Sequence, residues 1–375
     1  MTSTPEMPAY AIGLMSGTSA DGIDGVVLQI HNNRFSLVAI ESLPYPKTLR
    51  QSVNNVCRQK IHDRSEAREV EDQLTDLFTQ VSINLLENAP SVSVSVIGCH
   101  GQTVHHNPDS NPPFTIQLAN GATIAKQTGI PVVTDFRSQD MAAGGQGAPL
   151  APGFHLAAFH SSKEQRAIVN IGGISNITIL PKDRNSPVTG FDIGPGNTLM
   201  DNWCLRHFSC AFDRDGKIAE SGTPQHDLLD ILLDEDYFRK PWPKSTGVEL
   251  FNLRWLDRKL KEWKESANIN PQDVLASLSA LTTTIICRTA NQFQPNIDTV
   301  YICGGGALNA GLMKQLGRKC QAKILSTQSL AVGPKWVEAA AFAWMGYQTA
   351  RGLPSTIPSV TGARHPCVAG VVNYP

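Results

Sequence analysis

Residues Ala11–Asp24 read AIGLMSGTSADGID: an apolar run, a turn of small hydroxyl residues and glycine, then a second apolar run over Gly22–Ile30. A P-loop would need Gly-Lys-Ser/Thr followed by a helix, and a dinucleotide fingerprint also opens a helix. Here Val26, Val27, Leu28 and Ile30 continue as β-branched and apolar residues, so the loop turns a hairpin. Glycines let backbone N–H groups converge on an anion, and Thr18 and Ser19 add hydroxyl donors. The pattern predicts strand, phosphate-gripping loop, strand, with a plain structural turn as the competing reading.

The chain then repeats this theme. After the opening hairpin, Phe35–Leu43 reads as a third strand, and Ser65–Leu86 spaces Val70, Leu74, Leu77, Phe78, Val81 and Leu85 as an amphipathic helix. Val92–Ile97 is a short buried strand ending in GCHGQTVHH; Phe114–Leu118 and Ile130–Thr134 are further strands. Residues Arg166–Ile171 and Ile174–Leu180 are again two apolar runs parted by Gly172 and Gly173, and Val188–Asp192 is a third strand running into GPGN. Helices follow at Gln225–Leu233, Asn252–Glu265 and Asp273–Gln292, then the strand Thr299–Cys303 and a last apolar helix, Lys335–Arg351. Two meander-plus-helix units, each opened by a glycine hairpin, imply an internal duplication: an α/β fold of two domains around a central cleft, with two phosphate loops facing each other. The glycine-rich segment DFRSQDMAAGGQGAPLAP is read as the crossing, so residues 1–135 with 352–375 form domain I and 136–351 form domain II.

At 375 residues, 41% hydrophobic and 17% charged, the chain has the make-up of a globular enzyme with two cores. A net charge of −1 argues against general nucleic-acid binding. No uninterrupted apolar segment is long enough to span a bilayer. The opening MTSTPEMPAY has neither the basic start nor the apolar core of a secretion signal. Eight scattered cysteines without a Cys-x-x-Cys pair are expected as buried, reduced thiols of a cytoplasmic protein.

Asp192 ends a strand inside GFDIGPGN, where glycines permit close approach, and its carboxylate could take a proton from a nucleophile in line with a γ-phosphate; a helix cap or turn former is the plainer alternative. Of Asp21 and Asp24 on the first loop, one is expected to hold Mg²⁺, and Asp21 is taken as that ligand, with turn capping open for Asp24. CGGGALN places Gly304, Gly305, Gly306 and Asn309 at a strand-to-helix joint, where three glycines would let the chain lie flat against an adenosine. His100, His105 and His106 invite a metal reading, but no acidic or cysteine ligand completes the set; polar contacts to a hydroxylated substrate are expected from His100, Gln102 and Thr103. Arg137 could clamp a substrate carboxylate or phosphate through its planar fork, or form an interdomain ion pair. Glu338, an acid in the apolar helix KWVEAAAFAW, is either a buried functional carboxylate or part of a solvent face.

Taken together, GLMSGTSADGID, GCHGQTVHH, TDFRSQDMAAGGQGAPLAP, NIGGISNIT, GFDIGPGNTLMDNW and CGGGALN, in that order over essentially the whole chain, resemble the anhydro-N-acetylmuramic acid kinases of bacterial cell-wall recycling. Ala20 stands where related sequences often have Leu. The resemblance implies the fold of actin, sugar kinases and heat-shock chaperones, with two ribonuclease-H-like domains. It also implies a reaction in which ATP, water and 1,6-anhydro-N-acetylmuramic acid give ADP and N-acetylmuramic acid 6-phosphate, and a homodimer. Asp192 matches the family's catalytic aspartate, and Gly17, Thr18, Ser19, Ala20, Asp21, Gly22, Ile23 and Asp24 its ATP loop. A kinase for another amino sugar or hexose, an ATP-dependent binding module of the same fold, and a hydrolase acting without ATP are the competing readings.

Overall fold

The structure, a computed structural model, describes residues 7–17, 19–59, 61–263, 270–293 and 295–375. Contacts divide the chain into two compact units, Met1–Phe159 with Trp336–Pro375, and His160–Lys335.

In the first unit, β1 (Ala9–Ser16), β2 (Gly22–His31) and β3 (Arg34–Pro44) form an antiparallel meander. β4 (Val94–Asn107) runs parallel to β1, β5 (Phe114–Leu118) folds back antiparallel on β4, and β6 (Val132–Thr134) lies parallel to β4. The strand Val371–Asn373 covers the open edge of β6. In the second unit, β7 (Arg166–Ile171), β8 (Ile174–Leu180) and β9 (Thr189–Pro195) make the same meander, and β10 (Thr299–Cys303) and β11 (Lys323–Ser326) extend it in parallel. The orders β3-β2-β1-β4-β6 and β9-β8-β7-β10-β11 correspond strand for strand. This is the ribonuclease-H-like order, twice, and it establishes the duplicated α/β fold.

Alternation along β1 and β4 explains how the first sheet is covered on both faces. Ile12, Leu14, Ile97 and Cys99 join the core that also contains Leu74, Phe78, Val81 and Leu85 of the helix Arg68–Asn88. Those four helical side chains are fully buried, a gain of about 1.5–3 kcal/mol each. Gly13 and Gly98 point the other way. A Cβ on Gly13 would overlap the carbonyl of Ala339, and one on Gly98 that of Phe342, so the helix Val337–Ala350 lies with its backbone directly on the sheet.

That close packing moves the expected domain boundaries. The 351/352 division assigns the last long helix to domain II; its bed on β1 and β4 puts it in the first unit. Residues 136–159, placed beyond the 135/136 division, also belong there: Phe136 contacts Phe342 and Phe154 contacts Trp344.

Two further differences have local causes. The strand expected over Val92–Ile97 runs on through GCHGQTVHH, because β4 continues past Ile97 by pairing with β1 as far as Ser16–Gln102 and with β5 from Gln102–Leu118 onward. Cys287 and Cys320, expected as thiols, form a disulfide between the helices Pro271–Asn291 and Ala310–Lys319, whose facing ends hold the two Cα atoms 4.9 Å apart. Among the described residues no helix is long and apolar enough to cross a membrane.

Candidate active site

Asp192 sits on β9 beside a bulge. Ser175 faces Gly194 and Asn176 faces Asp192, which leaves Ile193 as the extra residue, turned into the core. A bulge re-aims the neighbouring side chain. The segment 237–246 then wraps this position: the Tyr237 hydroxyl donates to the Asp192 carbonyl at 2.7 Å, the Asp192 N–H donates to the Lys244 carbonyl at 3.1 Å, and the Thr246 N–H donates to Asp192 Oδ2 at 3.1 Å. Burial pushes the Asp192 carboxyl up to about 6; the Thr246 N–H opposes the rise and the Glu249 charge adds to it. A carboxylate poised near neutrality has the basicity of a general base.

The glycine hairpin of the second unit is bound rigidly to this position. Carbonyls of Gly172 and Gly173 accept from the N–H groups of Gly196, Asn197 and Thr198 at 2.8–3.1 Å. Thr282, on the helix Pro271–Asn291, donates to Pro195 and Gly196 carbonyls from behind. A Cβ on Gly172 or Gly173 would meet nothing closer than 3.4 Å, so packing within the chain does not demand glycine at either place. Bare backbone there leaves room for a group outside the chain.

The three glycines after β10 divide differently. Gly304 has φ +77 and no room against Asn170 and Ile171, and Gly306 is pressed on the Ile171 side chain. Packing therefore accounts for two of the three, and Gly305, exposed, is the one left for a ligand. Asn309 caps the helix Ala310–Lys319 by accepting from Leu312 N–H at 3.0 Å.

In the first unit, the hairpin Ser16–Gly22 is held from below; Thr18 lies outside the described residues. Ser16 donates to Gln102 Oε1 at 2.7 Å, Tyr45 donates to Ser16 Oγ at 2.8 Å, and Gln102 Nε2 donates to the Gly17 and Thr103 carbonyls. Gln102 is thus spent on the shape of the loop, and Thr103, beside it, takes a weak bond from Gln117 across the β4–β5 pair. Ala20 is buried at φ +47, while Asp21 is exposed and accepts from Ser19 at 2.8 Å. Ile23 is core, and Asp24 accepts from Ser42 at 2.6 Å.

Arg137, His100 and Glu338 come together in this unit. Arg137 donates from Nη2 to His100 Nε2 at 2.8 Å and from Nη1 to the Gly147 carbonyl at 2.7 Å; its buried Nε has no partner among the described residues. Guanidinium cannot accept, so His100 Nε2 must be the acceptor and Nδ1–H the donor to the Gly101 carbonyl at 2.9 Å. Burial, then the Arg137 charge, holds the His100 pKa well below its ordinary value. Burial raises the Glu338 carboxyl, with Arg137 opposing and Asp24 adding to the rise. A buried cation with an unanswered Nε donor suits a ligand that carries an anion, with the His100 imidazole fixing its direction. His105 and His106 are spent on the Ile61 carbonyl and Thr115.

Residues 9–375 match the family described as anhydro-N-acetylmuramic acid kinase. The chain belongs to the anhydro-N-acetylmuramic acid kinase family. A relative of that name from Nitrosospira multiformis is 44% identical over 98% of this chain and 99% of its own. One from Aliivibrio fischeri is 44% identical over 97% and 98%. A solved ligand-bound xylulose kinase from Lactobacillus acidophilus aligns over 98% of this chain and 94% of its own at 10% identity, with a TM-score of 0.48. Tyr45, bonded to Ser16, and Tyr237, Lys244 and Thr246, bonded to Asp192, are residues that sequence patterns pass over. The only signal was Ser245-Thr246-Gly247, a small hydroxyl turn like the one that opens the chain.

Proposed function

We propose that this kinase converts 1,6-anhydro-N-acetylmuramic acid, ATP and water to N-acetylmuramic acid 6-phosphate and ADP, serving cell-wall recycling. In the anhydro sugar O6 is tied to C1, so no free 6-hydroxyl exists to attack ATP. Asp192 takes a proton from water, the water oxygen bonds to C1, the C1–O6 bond breaks, and O6 takes the γ-phosphoryl from ADP. The phosphoryl group does for O6 what a general acid does in a glycosidase. This chemistry needs one base held in place, and the observation that carries it is the wrap of residues 237–246 around Asp192, where the Thr246 N–H donates to Oδ2 at 3.1 Å and burial pushes the carboxyl up to about 6.

In the second unit the bare backbone at Gly172, Gly173 and Gly305 supports a reading as ATP contacts, and in the first unit Gly17 supports the same reading of its own hairpin, since none of these positions needs glycine for internal packing. Arg137 and Glu338 are assigned to the sugar, Arg137 to its lactyl carboxylate; His100 and Gln102 support that site rather than touch the substrate. Asp21, an exposed carboxylate on the first hairpin, suits Mg²⁺, which needs one or two carboxylates beside water and phosphate oxygens and neutralises phosphate charge when bound. Family resemblance supports a homodimer and a cytoplasmic location.

Coupled ADP release tests the reading: rapid, sugar-dependent release is expected with the anhydro sugar and little with N-acetylmuramic acid. The reverse preference would make the protein an ordinary amino-sugar kinase.

A further inference from the structure

The Thr246 hydroxyl is out of place for a protein interior. Its Oγ1 is buried and has no hydrogen-bond partner among the described residues. Such a group carries its full desolvation cost unless something else completes it. Three covalent bonds away, the N–H of the same residue donates to Asp192 Oδ2 at 3.1 Å. That bond occupies one carboxylate oxygen and leaves Oδ1 as the one that takes a proton. Tyr237 and Lys244 fix the Asp192 backbone on the same side, so Thr246 and the carboxylate are held as one piece.

We infer that the Thr246 hydroxyl is the second group that holds the attacking water. This rests on Asp192 being the base. Oδ1 of Asp192 takes one hydrogen of the water and Oγ1 of Thr246 accepts the other. The oxygen lone pair is then left pointing at the anomeric carbon. Thr246 forms and breaks no covalent bond; the proton goes to Asp192. A water held by one carboxylate alone can swing about that bond, and a second fixed acceptor removes the freedom.

The test compares Thr246→Val, Thr246→Ser and Asp192→Asn in the full-length protein. Val keeps the shape and the backbone N–H to Asp192 but deletes the hydroxyl. The expected result for Thr246→Val is a kcat lower by about 10- to 100-fold, KM values for ATP and sugar within about twofold of the parent, and a melting temperature unchanged or higher, because an unpartnered buried hydroxyl has been removed. Thr246→Ser should restore most of kcat. Full kcat in Thr246→Val, or equal losses in Val and Ser, would overturn the inference. A lower melting temperature in Thr246→Val would also overturn it, by showing that the hydroxyl is bonded within the fold. If Asp192→Asn is inactive while Thr246→Val is fully active, only this inference falls. If Asp192→Asn remains active, the base itself is misassigned.

Discussion

Arg137 and His100 are joined by a 2.8 Å hydrogen bond that only a neutral imidazole can accept. The contact aims a guanidinium whose Nε is buried and unanswered among the described residues, and a planar fork with a spare donor suits a carboxylate. Two acids, Glu338 and Asp140, influence it through charge without an ion pair within 4 Å among the described residues.

Arg137→Ala should therefore act on binding. The expected outcome is a KM for the anhydro sugar raised about 10- to 100-fold, with the KM for ATP little changed, since a charge-assisted bond is worth about 1.5–3 kcal/mol. Steady-state kinetics on both substrates decide it; an unchanged sugar KM would retire the assignment.

Asp192 makes activity depend on pH from the acid side. The base must be ionised, so kcat should fall as pH drops through about 6. Ionisation is also what the fold resists: the folded-state pKa lies above the ordinary 3.8, so a stability cost is absent below pH about 4 and complete above about 6. Asp192→Asn should then lose most turnover yet gain about 1–3 kcal/mol at pH 7. Denaturant melts at pH 4 and 7 check this, and a gain equal at both values would contradict it.

Much of this was legible beforehand because glycine and strand patterns are local. The hairpins at Gly17–Gly22 and Gly172–Gly173, and the strands Phe114–Leu118 and Thr299–Cys303, follow from residue types within a few positions. What escaped depends on partners far away in sequence. The bed of the last helix is set by Gly13 and Gly98, more than 200 residues earlier, and the wrap of Thr246 around Asp192 spans 54 positions. The three glycines of CGGGALN have a second reason for being glycine that is equally distant: Gly304 and Gly306 answer to Ile171 and its neighbour on β7, which no reading of that loop alone reveals.

Gly98→Ala tests the helix bed. A methyl there must displace the Phe342 carbonyl, and the expected loss is about 3 kcal/mol, read as a lower melting temperature. A neutral result would mean the helix does not rest on β4.

The Cys287–Cys320 disulfide closes a loop with a sequence separation of 33. By the chain-entropy relation it should stabilise the second unit by about 3–4 kcal/mol. Cys287→Ser, or reductant, should lower its unfolding midpoint accordingly; insensitivity to both would show the thiols to be free.

The route of the water oxygen tests the central chemistry most directly. A single turnover in ¹⁸O-water, quenched before the anomeric hydroxyl exchanges, should place the label at C1 of the product sugar and none in its phosphate. Label in the phosphate, with C1 unlabelled, would contradict attack at the anomeric carbon and the role given to Asp192.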